Sequence, residues 1–187
     1  GMQRLTRYHK GIKSGMMKVD VKMEIVYETP VSAVVDGHDG MGQVIGKRCM
    51  EIAIEKAKKS GVGFVVARNS NHYGIAGYYS RMAMLEGLMG ISMTNSEAIG
   101  VPTFGRKAMM GSNPIAISMP ASPIPFHLDM STTVVTRGKL EVYNKKGEPI
   151  PTGWAIDHTG KDSNDAKQVL YDIQNKLGGG IVPLGGS

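Results

Sequence analysis

A short polar segment, residues 69–73, carries the side chains best suited to chemistry in this chain of 187 residues. It reads Asn-Ser-Asn-His-Tyr and lies between an apolar stretch that predicts a strand and a periodicity that predicts a helix. Loops that follow strands are where catalytic groups collect. The imidazole of His72, with an ordinary pKa of about 6.5, can accept and donate a proton near neutral pH. The segment therefore indicates proton transfer.

A structural role for His72 is the alternative interpretation, because a histidine beside a helix can also cap it or pack against it. The same turn holds Asn69, Asn71 and Tyr73, which is more polar groups than a cap requires. His72 is expected at or beside the N-terminus of the following helix, where the helix dipole favours the neutral imidazole. A neutral imidazole is the form that acts as a base.

Hydrophobic periodicity predicts helices and strands on both sides of this segment. Helices are expected over residues 4–15, over residues 43–60 with Gly61 as the stop, and from Ile75 to Gly87. The predicted strands are a half-buried one over 18–27, a short one over 32–36, a buried one over 64–67, and others over 88–93, 115–119 and 126–130. From Lys145 onward the chain reads as polar loops. The predicted fold class is α/β or mixed α+β.

Composition and charge argue against several other function classes. The net charge is +6, but the basic residues are scattered and aromatic residues amount to 6%, so we expect no nucleic-acid partner. No apolar run approaches the roughly 20 residues of a membrane span, so no membrane contact is expected. The single cysteine, Cys49, fits a buried hydrophobe in a cytoplasmic protein without disulfides. The histidines show no paired ligand spacing, so no metal site is expected.

A glycine-rich turn precedes the helix predicted over residues 43–60. Gly40-Met41-Gly42, with Gly46 beyond it, nearly matches the dinucleotide-binding fingerprint of a Rossmann turn. The third glycine comes one residue late, and Arg68 stands near the place where an acidic ribose ligand is expected. We therefore favour a structural strand–turn–helix over a Rossmann nucleotide site.

Motifs spread over nearly the whole chain resemble those of the malate/L-lactate dehydrogenase family. This group lies outside the Rossmann dehydrogenases and includes ureidoglycolate and sulfolactate dehydrogenases and diketogulonate reductase. The most specific motif is the Asn-x-Asn-His-x-Gly signature at residues 69–74. The other matching segments follow in the family's order, at residues 3–8, 33–43, 93–96, 111–114, 128–133, 137–139 and 147–155. The family's chains are longer, so the resemblance implies truncation at both ends.

The resemblance implies an oxidoreductase that transfers a hydride between NAD or NADP and a small 2-oxo or 2-hydroxy acid. The implied fold is a non-Rossmann nicotinamide-binding one, with a mixed sheet flanked by helices. His72 is implied as the catalytic proton-transfer residue and as a substrate contact. Arg4 is implied to grip the substrate carboxylate, which a guanidinium can pair at two points. A solvated surface arginine is the alternative interpretation of Arg4.

The resemblance also assigns cofactor contacts to Ser96, Asp129, Met130, Ser131 and Thr132. Asp129 stands between two apolar residues, where a carboxylate needs a partner such as a ribose hydroxyl or a backbone amide. Residues 111–114 either shape the pocket or form only a turn before a strand.

Residues 1–30 are implied to be part of a substrate and dimerisation region. Residues 31–187 are implied to form a cofactor-binding domain that is incomplete at its C-terminal end. The family is typically dimeric, so a homodimer is expected. The alternative function is that of a catalytically incomplete fragment, which folds or oligomerises without turning over a substrate.

Overall fold

The computed structural model describes residues 4–186. Gln3 of the first family motif, and the end residues of the predicted domain ranges, lie outside this part of the chain. The described residues form two compact units. The first runs to Ser92 and includes Ala116–Leu128, and the second comprises Met93–Ile115 and the residues from Asp129 onward.

Helices and strands of the described residues follow a mixed order, as predicted. The helices are α1 (Leu5–Lys13), α2 (Gly42–Ser60), α3 (Ala76–Leu85), α4 (Arg137–Lys146) and α5 (Ala166–Asn175). The strands are β1 (Glu24–Glu28), β2 (Ser32–Gly40), β3 (Phe64–Ser70), β4 (Gly90–Met93), β5 (Ile115–Met119), β6 (Phe126–Met130), β7 (Ala155–Ile156) and β8 (Gly180–Ile181).

The sheet of the first unit has the strand order β1-β2-β3. Strands β1 and β2 are antiparallel, with a bulge between Ile25 and Tyr27. Strands β2 and β3 are parallel and pair Val35 with Ala67. Helix α2 connects these parallel strands, so β2-α2-β3 is a crossover unit. The prediction of a mixed sheet flanked by helices is confirmed.

Helix α2 supplies much of the core of the first unit. The buried side chains that α2 and β2 bring together are Ala33, Val35, Ile45, Cys49 and Ile52. The helix ends as predicted at Gly61, whose φ of 83° is left-handed and whose backbone N–H donates to the carbonyl oxygen of Ala57. Burial raises the pKa of the Cys49 thiol to about 11, so the residue is a buried hydrophobe rather than a nucleophile.

Two strands are less buried than predicted. The strand expected over 18–27 is confined to β1, in which all five residues are exposed. The strand expected to be buried over 64–67 is β3, in which Phe64 is 65% exposed. Both strands lie at the edges of their sheet, whereas the core cluster is centred on β2. The apolar pattern therefore located these strands but did not predict their exposure.

The second unit is built around α4, α5 and the antiparallel pair β7–β8. Its core consists of the buried side chains of Ile99, Leu140, Ile150, Ala155, Ala166, Val169, Ile173 and Ile181. A separate sheet has the order β4-β5-β6, and the boundary between the units falls within each of these strands.

The prediction of loops from Lys145 onward is wrong, because α5 and two short strands lie there, and α4 was not predicted either. Helix α4 buries only Leu140, so its hydrophobic repeat is weak. Helix α5 does have a hydrophobic repeat, because Ala166, Val169 and Ile173 are buried on one face, and the prediction overlooked it. Asp165 caps α5 by accepting hydrogen bonds from first-turn backbone N–H groups. An acidic cap of this kind is the sequence signal that marks the start of the helix.

The carboxylate of Asp36 joins the ends of the two parallel strands and is only 5% exposed. It accepts hydrogen bonds from the backbone N–H of His38 at 2.9 Å and from Arg68 Nε at 2.8 Å. It also accepts two bonds from Asn69 Nδ2, at 3.1 and 2.9 Å. The bonds from His38, Asn69 and Arg68, in that order, lower the pKa of Asp36 to about 2. Arg68 therefore serves the fold near the position where a Rossmann fingerprint would place an acidic ribose ligand.

Replacing Asp36 by Asn should destabilise the fold at neutral pH, because an amide nitrogen would then face donors that need an acceptor. The folded pKa of about 2 is below the unfolded value, so the stabilisation is complete above the unfolded pKa and is lost as the pH falls towards 2. Thermal unfolding should show a Tm deficit in Asp36→Asn that narrows from about pH 7 to about pH 3. Asp20→Asn, at an exposed position, is the control. An equal deficit at every pH would contradict the prediction.

Gly42 lets the polar segment lie against the first turn of α2. A Cβ atom at Gly42 would be 2.0 Å from the carbonyl oxygen of Asn71 and 2.7 Å from the carbonyl carbon of His72. In a Rossmann turn, this end of the helix binds a pyrophosphate. Here the main chain of the polar segment takes that space, so the structural interpretation of the glycine-rich turn holds.

Gly42→Ala should lower the free energy of unfolding by at least about 1–3 kcal/mol, because backbone rather than a flexible side chain would have to move. Urea unfolding measures the loss. Val44→Ala lies in the same helix, at a position that is 59% exposed, and should change the stability by less than about 0.5 kcal/mol. If Gly42→Ala is as stable as Val44→Ala, the close approach of the two segments is refuted.

Candidate active site

The polar segment is held in place by its two asparagines. Asn69 has a left-handed φ of 49° and donates from Nδ2 to both carboxylate oxygens of Asp36. Asn71 donates from Nδ2 to the carbonyl oxygen of Asp39 at 2.8 Å. Both amides therefore fix the loop to the end of β2. His72 is left as the residue of this segment that can exchange a proton.

His72 presents an exposed ring, and one of its two ring nitrogens is held by the protein. Nδ1 lies 2.8 Å from the hydroxyl oxygen of Tyr8, and the two ring centroids are 5.9 Å apart. The backbone N–H of Gly74 donates to the same nitrogen at 3.3 Å. Within residues 4–186, the hydrogen bonds to this ring reach Nδ1 alone, so Nε2 is available to a ligand.

The pKa of His72 is lowered below its ordinary value. Partial desolvation is the largest cause, and the positive charges of Arg7 and Arg4 follow. His72 was expected at or beside the N-terminus of the following helix, and it lies three residues before Ile75, the N-cap of α3, so it is outside the helix itself. The neutral imidazole is still favoured, but desolvation and neighbouring cations favour it instead of the helix dipole.

One side of α1 faces this imidazole. Arg4, Arg7 and Tyr8 share that side, because residues three and four apart are neighbours on a helix surface. Arg4, a predicted substrate ligand, directly precedes the helix and is half-buried. Arg7 is exposed and was not predicted, although its spacing from Arg4 is a signal that could have identified it. The structure thus brings two guanidinium groups towards His72.

Tyr79 anchors the helix that follows the polar segment. It is buried, and its hydroxyl donates to the carbonyl oxygen of Tyr73, whose ring is stacked on it with the centroids 4.8 Å apart. Burial raises the pKa of Tyr79, so the hydroxyl stays protonated as a donor. Gly46 of α2 leaves room for this ring, because a Cβ atom there would lie 2.9 Å from it. Helices α2 and α3 and the polar segment therefore restrain one another.

Ser96 belongs to a hydrogen-bonded cluster in the second unit. Its backbone N–H donates to Asn113 Oδ1 at 3.0 Å, and its hydroxyl accepts from the backbone N–H of Asn113 at 3.3 Å. The hydroxyls of Ser96 and Ser112 are 3.1 Å apart, and the backbone N–H of Thr132 donates to the carbonyl oxygen of Ser112 at 2.8 Å. A Cβ atom at Gly111 would lie 2.4 Å from the Ser96 carbonyl oxygen. Two predicted cofactor ligands, Ser96 and Thr132, are thus assembled around residues 111–114.

The other predicted cofactor ligands lie at the end of β6 and in the turn after it. Asp129 is exposed and Met130 is half-buried. The hydroxyl of Ser131 donates to the carbonyl oxygen of the buried Thr133 at 2.7 Å, so it holds the turn together. Asp129 therefore has access to solvent although its sequence neighbours are apolar.

The predicted site residues fall into two groups. Arg4 and His72 belong to the first unit, whereas Ser96 and residues 129–132 belong to the second. Ser96, Asp129 and Thr132 are exposed, and hydroxyl and carboxylate oxygens are suited to ribose hydroxyls and to a carboxamide. The chemistry of this donor set fits a nicotinamide dinucleotide.

Residues 4–186 contain neither a metal site nor a membrane-spanning helix. No group of three or more His, Cys, Asp or Glu side chains in this range could hold a metal ion. None of the helices in the same range combines the length and the apolar character that crossing a membrane requires.

Several dehydrogenases are similar in sequence to this chain along its whole length. Malate dehydrogenase of Pyrococcus horikoshii is 50% identical over 186 residues, which cover 100% of this chain and 50% of that protein. L-sulfolactate dehydrogenase of Methanocaldococcus jannaschii is 42% identical, with 100% of this chain and 52% of that protein covered. The chain spans about half the length of these curated relatives.

Solved structures agree with the sequence comparison. The crystal structure of malate dehydrogenase from Entamoeba histolytica matches with a TM-score of 0.96 and 41% identity, over 100% of this chain and 52% of that one. The family described as malate/L-lactate dehydrogenase matches residues 1–187. The fold class predicted from the motifs is therefore confirmed, and the chain belongs to the malate/L-lactate dehydrogenase family.

Proposed function

We propose that this chain is part of a NAD(P)-linked 2-hydroxy-acid dehydrogenase and contributes its proton-transfer residue, His72. One observation carries the proposal: His72 is an exposed imidazole held through Nδ1, with Nε2 available and two guanidinium groups nearby. Membership of the family supports it. So do the names of the relatives, among them malate and L-sulfolactate dehydrogenases and a pyrroline-2-carboxylate reductase.

In this mechanism His72 exchanges the hydroxyl proton of the substrate. When a 2-hydroxy acid is oxidised, its O–H bond breaks and the proton passes to Nε2 of the neutral imidazole. The residues proposed below would hold a nicotinamide cofactor, which would supply the hydride chemistry at the substrate carbon. In the reverse direction, Nε2–H of the imidazolium returns the proton to the carbonyl oxygen. The lowered pKa of His72 favours the base form in the empty site.

We propose Ser96, Asp129, Met130, Ser131 and Thr132 as the residues that hold the cofactor. The exposed oxygens of Ser96, Asp129 and Thr132 are suited to hydrogen bonds with ribose and carboxamide groups. Ser131 would act by keeping its turn in shape, because its hydroxyl is bonded to Thr133. Either NAD or NADP is the proposed cofactor, and binding measured with both decides between them.

The two guanidinium groups favour a substrate with two anionic groups, of the malate or sulfolactate type. Arg4 would pair the carboxylate beside the reacting carbon, and Arg7 would pair the second acidic group. A dianion would also offset both positive charges, which are two causes of the low His72 pKa. Substrate binding would therefore raise the pKa of His72 and favour the proton that reduction requires.

A homodimer is the proposed assembly, as the family resemblance implies. Light scattering on the purified chain measures its mass directly. If the chain is monomeric at the concentrations used in the activity assay, the proposed homodimer is wrong.

His72→Gln should lower kcat by about 10²–10⁴-fold and leave the cofactor Kd unchanged, because only proton transfer is removed. The assay follows nicotinamide absorbance with NADH or NADPH and a panel of 2-oxo acids. His9→Gln, at an exposed position on α1, is the matched control and should keep full activity. If the wild-type chain binds neither cofactor while a full-length relative turns over, the chain is a folded or oligomerising fragment without activity of its own.

Arg7→Gln should reduce kcat/KM for oxaloacetate by about tenfold, which is the lower end of the effect expected when a charge-assisted hydrogen bond is lost. The kcat/KM for pyruvate, which has no second acidic group, should change far less. The variant should also move the pH profile to higher pH, because Arg7 lowers the pKa of His72. Lys10→Gln, an exposed cation on the same helix, is the control. Equal losses for the mono- and dicarboxylate would show that Arg7 does not select the second acidic group.

A further inference from the structure

The hydrogen bond between Tyr8 and His72 connects α1 to the polar segment across 64 residues of sequence. Tyr8 is half-buried, and its ring lies at 43° to the imidazole. A phenolic hydroxyl can donate one hydrogen bond and can also accept one. Tyr8 can therefore pair with Nδ1 whether or not that nitrogen carries a proton.

The second contact to Nδ1 has a fixed direction. The backbone N–H of Gly74 can only donate, and it reaches Nδ1 at 3.3 Å. Gly74 has a φ of 90°, a left-handed conformation that glycine adopts without strain. This donor favours an unprotonated Nδ1, and a neutral imidazole then carries its proton on Nε2. The resting tautomer is therefore a hydrogen-bond donor at the exposed nitrogen.

That resting tautomer cannot remove a proton from a substrate, because Nε2 is already protonated. For oxidation, the neutral ring must carry its proton on Nδ1. For reduction, the imidazolium carries protons on both nitrogens, and the Nε2 proton is the one transferred. In both reactive states Nδ1–H needs an acceptor, and the Tyr8 hydroxyl oxygen is the acceptor within reach.

We propose that Tyr8 is a positioning residue for His72, which makes the reactive Nδ1–H states available by reversing the direction of one hydrogen bond. In the resting state the Tyr8 hydroxyl donates to Nδ1. Before oxidation the exposed ring exchanges protons with solvent, losing the proton on Nε2 and gaining one on Nδ1, and the Tyr8 hydroxyl rotates to accept from Nδ1–H. The substrate proton then moves to Nε2, and in reduction it leaves Nε2 of the imidazolium. The inference rests on the proposed function of His72, and it adds the residue that controls which ring nitrogen is protonated.

Tyr8 is an uncharged hydrogen-bonding partner, and this affects the pKa of His72. A carboxylate in the same place would also accept from Nδ1–H, but it would raise the pKa of the imidazole. With a phenol instead, partial desolvation and the cations Arg7 and Arg4 lower the pKa of His72 and favour the neutral imidazole. Tyr8→Phe therefore removes the acceptor without changing the charge around His72.

The test compares Tyr8→Phe with Tyr27→Phe, which removes a hydroxyl from an exposed strand position. The first readout is the ¹⁵N NMR spectrum of the His72 ring, assigned with His72→Gln, because it reports the protonation of each nitrogen without turnover. Tyr8→Phe should shift the neutral ring further towards the Nε2–H tautomer. The other histidine ring signals should stay as in the wild type, which shows that the variant is folded.

The second readout is kinetic. Tyr8→Phe should lower kcat for 2-hydroxy-acid oxidation by about 10- to 100-fold, with KM and cofactor Kd unchanged, because only the reactive tautomer becomes scarcer. Wild-type ring signals and wild-type kcat in Tyr8→Phe would overturn the inference. An altered His72 tautomer in a chain that turns over no 2-hydroxy acid would support the positioning role and reject the proposed function.

Discussion

A buried carboxylate surrounded by donors determines where the reactive loop lies. Asp36 ends the regular pairing of β2 and β3, and it collects bonds from His38, Arg68 and Asn69. A buried charge without such partners would cost several kcal/mol, so the loop cannot leave this position without losing them. The left-handed backbone of Asn69 is maintained by the same contact. This restraint fixes the main chain three residues before His72, and the contacts of Asn71 and Tyr8 complete the positioning of the ring.

The electrostatics of the site then favour a neutral His72 imidazole in the empty state. Partial desolvation and two guanidinium groups oppose charge on His72, and its hydrogen-bonding partners are a neutral phenol and a backbone N–H. Under the proposed function, an acidic substrate would bring the negative charge that the site lacks. Substrate binding and imidazole protonation would then be linked through Arg4 and Arg7, so that one set of residues would serve both directions of the reaction.

Several helices and strands with a clear hydrophobic pattern or stop signal in their own sequence were predicted correctly. Helix α2 was predicted from its apolar face and Gly61, and strands β5 and β6 have the predicted bounds. Helix α5 was missed although Ala166, Val169 and Ile173 mark its buried face at helical spacing and Asp165 caps it. His72 was identified from residue types around one turn, but its partner Tyr8 is 64 residues away, and no local pattern encodes that pairing. The exposure of β1 and β3 depends on their positions at the edges of the sheet, and hydrophobic periodicity does not predict the order of strands in a sheet.

The close approach at Gly42 has a consequence for how anions reach this protein. The N-terminal end of a helix carries a partial positive charge and attracts phosphates and carboxylates. In α2 the main chain at Asn71 and His72 packs against Gly42 and occupies the space at that end. Under the proposed function, an acidic substrate would meet the guanidinium groups of Arg7 and Arg4 beside His72 instead of this helix end. Because Gly42 has no side chain, the main chain of the polar segment can fill a position at which an anion would otherwise bind.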